Sequence, residues 1–205
     1  MVFSLSDGKE FVKVARRSIE YSIHTNSLLQ DRSPKKEYEE KMGVFVTLHS
    51  YPSNELRGCI GFPEPIKQLW QAIIEAASSA AFNDPRFMSL EAGELDKVIV
   101  EVSVLTKPEK IEVKKQEELL KKIEIGKDGL IAEQGMRRGL LLPQVAPEWN
   151  WNVEQFLEHT CEKAGLPKDA WKEKNTIFYK FQTQVFTEES PKGQVKEVDL
   201  KTNIA

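Results

Sequence analysis

The sequence predicts an α+β fold: two β-β-α-β repeats with mostly antiparallel sheets and helices packed on them, plus a further helix at the N-terminus. Three observations carry that expectation. Two apolar sets at helical spacing, Ile66, Leu69, Trp70, Ile73, Ile74, Ala77 and Val153, Phe156, Leu157, Thr160, Cys161, Ala164, match position for position at a constant separation of 87 residues. Each set follows two short β-branched runs and precedes a third. The returning strand of each hairpin also carries an Arg-Gly pair, Arg57-Gly58 and Arg138-Gly139, 81 residues apart. The repeats run from about 43 to 105 and from about 129 to 186.

The elements follow in order. From Asp7, Phe11, Val12, Ala15, Ile19 and Ile23 fall on one face of a helix spanning 7–30, with Arg16, Arg17 and Glu20 elsewhere on it. Gly43 opens VFVTL, a strand closed by the loop HSYPSN, and LRGCIG (56–61) returns beside it. The helix through Ile73 should stop at NDPRF, because Pro85 disfavours helical geometry at Asp84. VIVEVSVL (98–105) reads as a well-covered strand. In the second half, GLIAEQ enters through a Lys-Asp-Gly turn and RRGLLLP is its partner. Asn152 caps the next helix with Gln155 in the capping-box position, and Gly165 ends it. TIFYKFQTQVF (176–186) closes the second repeat. The charged segment 107–128 reads as a solvated connector. These parts make one domain, 1–186, followed by a loosely attached polar tail, 187–205.

Composition narrows the function. Of 205 residues, 40% are hydrophobic and 30% charged, the balance of a folded chain. A net charge of -3 offers no global field for nucleic acid, and no apolar run reaches the ~18 residues of a membrane span. With no signal-peptide pattern at the start, a cytoplasmic location is expected. Cys59 and Cys161 form no CxxC knuckle, and His24, His49 and His159 show no ligand spacing, so neither a metal nor a cofactor is expected.

Chemistry concentrates at LRGCIG. In an extended strand Arg57, Cys59 and Gly61 project from one face. Arg57 then lies about 7 Å along the strand from Cys59, close enough to favour the thiolate. Gly61 leaves that face bare, which suits a ligand, and Gly58 lets another backbone approach. Glu101 is a carboxylate within a run of valines and needs a partner, for which Arg57 is the first candidate. A hairpin pairing Val46 with Cys59 puts His49 on the opposite face, so no base stands ready for the thiol. Cys161 occupies the helix-face slot that Ile74 holds in the first repeat and reads as core.

These motifs, LRGCIGFPEP, NDPRF, VEVSVL and GLLLPQV followed by EWNW, resemble in order the AMMECR-one domain family over about Gly8 to Phe186. The resemblance implies the same α+β fold with an extra C-terminal strand and with the two repeats exchanging their closing strands. It also implies association with a Memo-type protein and a radical S-adenosylmethionine enzyme, and it implies no reaction.

Two readings follow. In the favoured one the protein is a binding or accessory module for a small ligand or a partner's segment. Its groove is lined by Arg57, Gly58, Cys59, Gly61, Asp84, Arg86, Glu101 and Gln144. In the alternative it is an enzyme with Cys59 as nucleophile, Arg57 binding an anionic substrate and Glu101 transferring a proton. RNA binding through Arg16-Arg17 and Arg137-Arg138 is a third idea, and it lacks both a basic excess and an aromatic ladder.

Overall fold

The structure, a computed structural model, describes residues 3–200. Its regular elements are α1 (Leu5–Thr25), β1 (Gly43–Ser50), β2 (Leu56–Phe62), α2 (Leu69–Phe82), β3 (Val98–Leu105), β4 (Glu109–Lys110), β5 (Gly129–Gln134), β6 (Arg137–Leu141), α3 (Val145–Glu148), α4 (Val153–Lys163), β7 (Ile177–Phe181), β8 (Thr183–Glu188) and β9 (Val195–Val198), with short 3-10 turns between them. The chain divides into two compact units, 3–105 with Gln184–Val198, and Thr106–Thr183 with Asp199 and Leu200.

In the first unit a five-stranded sheet is ordered β2-β1-β3-β8-β9. Strand alternation sends Val44, Val46 and Leu48 of β1 and Val98, Val100, Val102 and Val104 of β3 into one core. There they meet Phe11, Val12, Ala15 and Ile19 of α1 and Leu69, Trp70, Ile73, Ile74 and Ala77 of α2. Ser4 caps α1 through a capping box with Asp7, and Asn26 ends it in the left-handed region, so the helix is shorter than 7–30. Helix α2 begins at Leu69, which leaves Ile66 outside it and 57% exposed rather than on the buried face.

The second unit has a four-stranded sheet ordered β4-β7-β5-β6. Phe156, Leu157 and Cys161 of α4 pack against Leu130, Ala132, Trp171 and Phe178. Asn152 and Gln155 form the expected capping box, and Gly165 adopts a positive φ after the helix. The segment 107–128 is more than a solvated connector, since Ile111, Leu119 and Ile123 are buried in this core.

Three expectations about the C-terminal half are corrected. The closing strands are not exchanged whole: β3 pairs with β1 and β7 with β5, each within its own hairpin, and only the later part of 176–186, β8, joins the sheet of the first repeat. The run 176–186 is two strands in different sheets, broken at Gln182, whose N–H donates to Thr106 Oγ1 and whose carbonyl accepts from Thr106 N–H. Of the expected tail 187–205, residues 187–198 are no loose end, since β9 pairs with β8 and Thr187 and Glu188 are buried, while 201–205 lie outside the described residues.

Glu188 accounts for that burial. Its carboxylate receives Arg16 Nε at 2.6 Å, Arg16 Nη2 and the Val100 N–H at 2.9 Å. Arg16 also donates to the carbonyls of Leu95 and Val98. A buried ion pair holds only when its remaining donors and acceptors are met, as they are here. Arg16 is therefore interior and unavailable to a surface partner, whereas Arg17, Arg137 and Arg138 stay exposed, bonded to Asp31, the Gly165 carbonyl and Glu133 respectively.

Candidate functional site

Register decides what LRGCIG displays. Cys59 lies opposite Thr47, not Val46, and Thr47 lies opposite Glu101 on the other side. Residues directly opposite in adjacent strands share a face. Cys59, Thr47 and Glu101 therefore form one row across β2, β1 and β3, on the face opposite the helices. The one-residue difference in register also brings His49 to this face, because it stands two residues from Thr47. The earlier expectation for His49 is thus overturned.

The next row is Gly61, Phe45 and Ser103. A side chain at Gly61 would run into the Phe45 ring, 2.5 Å from the ideal Cβ position, and into the Val44 carbonyl at 2.2 Å. Gly61 accordingly makes room for Phe45 rather than leaving bare space. Gly58, on the helix side, would place its Cβ 2.2 Å from the Ala80 carbonyl oxygen, so it does allow α2 to approach closely.

β2 is an edge strand, and the NDPRF turn after α2 covers its edge at Cys59. Asp84 accepts the Cys59 N–H at 2.8 Å, and Arg86 Nη2 donates to the Cys59 carbonyl at 3.2 Å. Arg86 also grips Asp84 through two bonds, at 2.9 and 2.7 Å. The Arg86 guanidinium, with the Cys59 and Arg86 N–H groups, holds the buried Asp84 carboxyl well below the usual carboxylate range, and the Asp84 carboxylate in turn pushes the Arg86 guanidinium upward. Because the Cys59 backbone groups face outward, its pairing with Thr47 is the non-hydrogen-bonded kind, in which side chains come closest. Thr47 Oγ1 donates to Cys59 Sγ at 3.3 Å.

Burial pushes the Cys59 thiol up, and the Thr47 hydrogen bond and the charge of Arg86 offset this only in part. Arg57 is not the cation beside it. Its Nε and Nη2 each bond a Glu94 oxygen at 3.0 Å, which holds the Glu94 carboxyl down, and its Nη1 is buried without a partner. The expected Arg57–Glu101 pair therefore does not form. Glu101 has no hydrogen bond or ion pair among the described residues, and burial alone raises its carboxyl from 4.5 to about 7. Burial pushes the His49 imidazole down, an effect that the Asn54 backbone offsets in part, and its Nδ1 has no partner within hydrogen-bond geometry.

The structure thus brings Arg57, Gly58, Cys59, Gly61, Asp84, Arg86 and Glu101 into one unit. Gln144, whose Oε1 is buried and unpartnered, stands just before α3 in the other unit and makes no side-chain cap. Cys161 is core, its thiol pushed up to about 12 by burial. Thr47 and Glu94 were missed from sequence. The alternation Phe45, Thr47, His49 against Val44, Val46, Leu48 held the signal for Thr47, while nothing local marked Glu94. Among the described residues no cluster of three or more His, Cys, Asp or Glu could hold a metal ion.

The AMMECR1 family pattern matches residues 12–186. The chain belongs to the AMMECR1 family. It is 48% identical to a protein of Methanopyrus kandleri over 96% of both chains, and 47% identical to one of Aquifex aeolicus over 95% of this chain and all of the other. The crystal structure of an uncharacterised protein from Pyrococcus horikoshii superposes with a TM-score of 0.84 at 49% identity, covering 94% of this chain and 96% of that one. The α+β fold is therefore that of a solved AMMECR1-family relative. Among the described residues no helix is long and apolar enough to cross a membrane.

Proposed function

We propose that this AMMECR1-family chain is a cytoplasmic binding module whose site is the sheet face around Cys59, Thr47 and Glu101. The observation that carries this reading is a set of polar groups wanting partners on the neighbouring strands β2, β1 and β3. Glu101 is unpaired, and Arg57 Nη1 and His49 Nδ1 are buried and unsatisfied. A native protein rarely leaves such groups unmet without a purpose, and a ligand that supplies donors and acceptors would satisfy them. The Asp84–Arg86 clamp on the Cys59 backbone keeps the row rigid, as a preformed site requires. Thiol chemistry is disfavoured because Cys59 is shifted upward and its Sγ contacts a hydroxyl rather than a base. The family resemblance supports a Memo-type protein or a radical S-adenosylmethionine enzyme as the setting in which the module works.

The test is a melting-temperature screen of small polar molecules, and of a Memo-type protein, against wild type, Cys59→Ser and Glu101→Gln. A binder that shifts wild type and Cys59→Ser alike, and Glu101→Gln less, upholds the proposal. If binding and cellular function vanish in Cys59→Ser while the fold persists, a covalent role replaces it.

A further inference from the structure

We infer that the ligand of this face carries a cationic nitrogen, an ammonium or guanidinium group, that pairs with Glu101. The inference rests on the binding reading above and names the chemistry of what binds. It follows from matching charges across the site. Arg57 is bonded through two nitrogens to Glu94, and Arg86 through two nitrogens to Asp84. Each arginine near the row thus has its own acid, and Glu101 is left as the acid without a cation.

Among the described residues, the strands beside Glu101 supply none. From β1 it faces Thr47, flanked by Phe45 and His49, and His49 is held toward its neutral form by burial. Beyond β1 lie Cys59 and the already matched Arg57, with Asp84 and Arg86 at the edge. Along β3 its same-face neighbours are Ile99 and Ser103. On the other side is β8, where Phe186 packs in the helix-side core and Glu188 binds Arg16. By alternation β8 presents Val185 and Thr187 to the face of Glu101, and neither is charged. A partly buried carboxylate with no internal cation is costly, so a ligand cation gains a charge-assisted hydrogen bond in a setting of reduced dielectric.

The pairing is linked to pH. Unliganded Glu101 is largely protonated below about 7, and a cation binds the ionised form. Binding should therefore release a proton, and affinity should fall up to about tenfold for each pH unit below that value.

The experiment is calorimetric titration of wild type and Glu101→Gln with four probes: n-butylammonium, N-acetyl-lysine amide, N-acetyl-arginine amide and the neutral n-butanol, with butyrate as the anionic control. At about pH 8 the cationic probes should bind wild type, and affinity should drop at least tenfold by about pH 5.5. In Glu101→Gln the same probes should lose at least tenfold. The pH dependence on wild type tests the inference even if the variant misfolds. A small amine binding as well as the capped residues assigns the cation to a metabolite. Binding of the capped residues alone assigns it to a side chain of a partner protein. Binding of butanol or butyrate in place of the cations would overturn the cation and leave a binding site. If all five compounds fail to bind wild type, and the screen above also yields no binder, both readings fall.

Discussion

Ionised Glu101 is costly because the nearest groups that could neutralise it are already committed, and that cost has a measurable pH signature. Its carboxyl titrates near 7 in the folded protein against an ordinary 4.5. Between those values the folded state keeps a proton that the unfolded state has released, so stability falls as pH rises through this window and then levels off. Below about 4.5 both states are protonated and the residue costs nothing. Glu101→Gln should therefore match wild type near pH 4 and exceed it by on the order of 1–3 kcal/mol near pH 8, after allowance for partial exposure. Urea unfolding midpoints of the two proteins at both pH values check this. An Arg57–Glu101 pair would give the opposite result. The oddity of Glu101 among valines was legible in the sequence, but its lack of a partner was not, because Glu94 lies in a short 3-10 turn, Ala92–Lys97, whose position no periodicity reveals.

At the scale of elements, the two Arg-Gly pairs were legible for a physical reason. A strand that must touch a helix backbone has no room for a side chain, and the sequence records this as glycine. An added Cβ would meet the Ala80 carbonyl oxygen at 2.2 Å from Gly58 and the Ala164 nitrogen at 2.2 Å from Gly139. Gly58→Ala and Gly139→Ala should each destabilise by about 1–3 kcal/mol or more, since backbone cannot yield as a flexible side chain can. Gly93→Ala, with nothing within 4 Å of the added methyl, should change stability little and serves as the control in the same denaturant titration. Register was not legible. The alternation in VFVTLHS is equally regular whether Val46 or Thr47 stands opposite Cys59, and that single step decides whether Thr47 and His49 join the site. Helix boundaries were read best where a cap marked them, as at Asn152, and worst where none did, as at Ile66.

At the scale of the whole chain, the C-terminal segment was misread because its polar composition conceals one buried pair. Glu188 was counted with the tail, and Arg16 with the polar side of its helix, although each satisfies the other inside the first unit. Glu188→Gln or Arg16→Leu alone should cost about 3–5 kcal/mol by leaving a buried charge unmet, while the double replacement should cost much less than the sum. A double-mutant cycle from thermal or chemical unfolding reads this directly. Family membership was legible from the order of short motifs along nearly the entire chain, whereas the path of each closing strand depended on long-range pairing that no local pattern encodes. The central claim is that LRGCIG shapes a binding surface and does not activate a nucleophile. The pH dependence of Cys59 alkylation in the native protein, followed by peptide mass spectrometry with Cys161 as the buried internal standard, tests it most directly. The account predicts slow modification of Cys59 with an apparent pKa above the free-thiol value of about 8.5, and protection of Cys161 until unfolding. Rapid modification of Cys59 with an apparent pKa well below that value would contradict it.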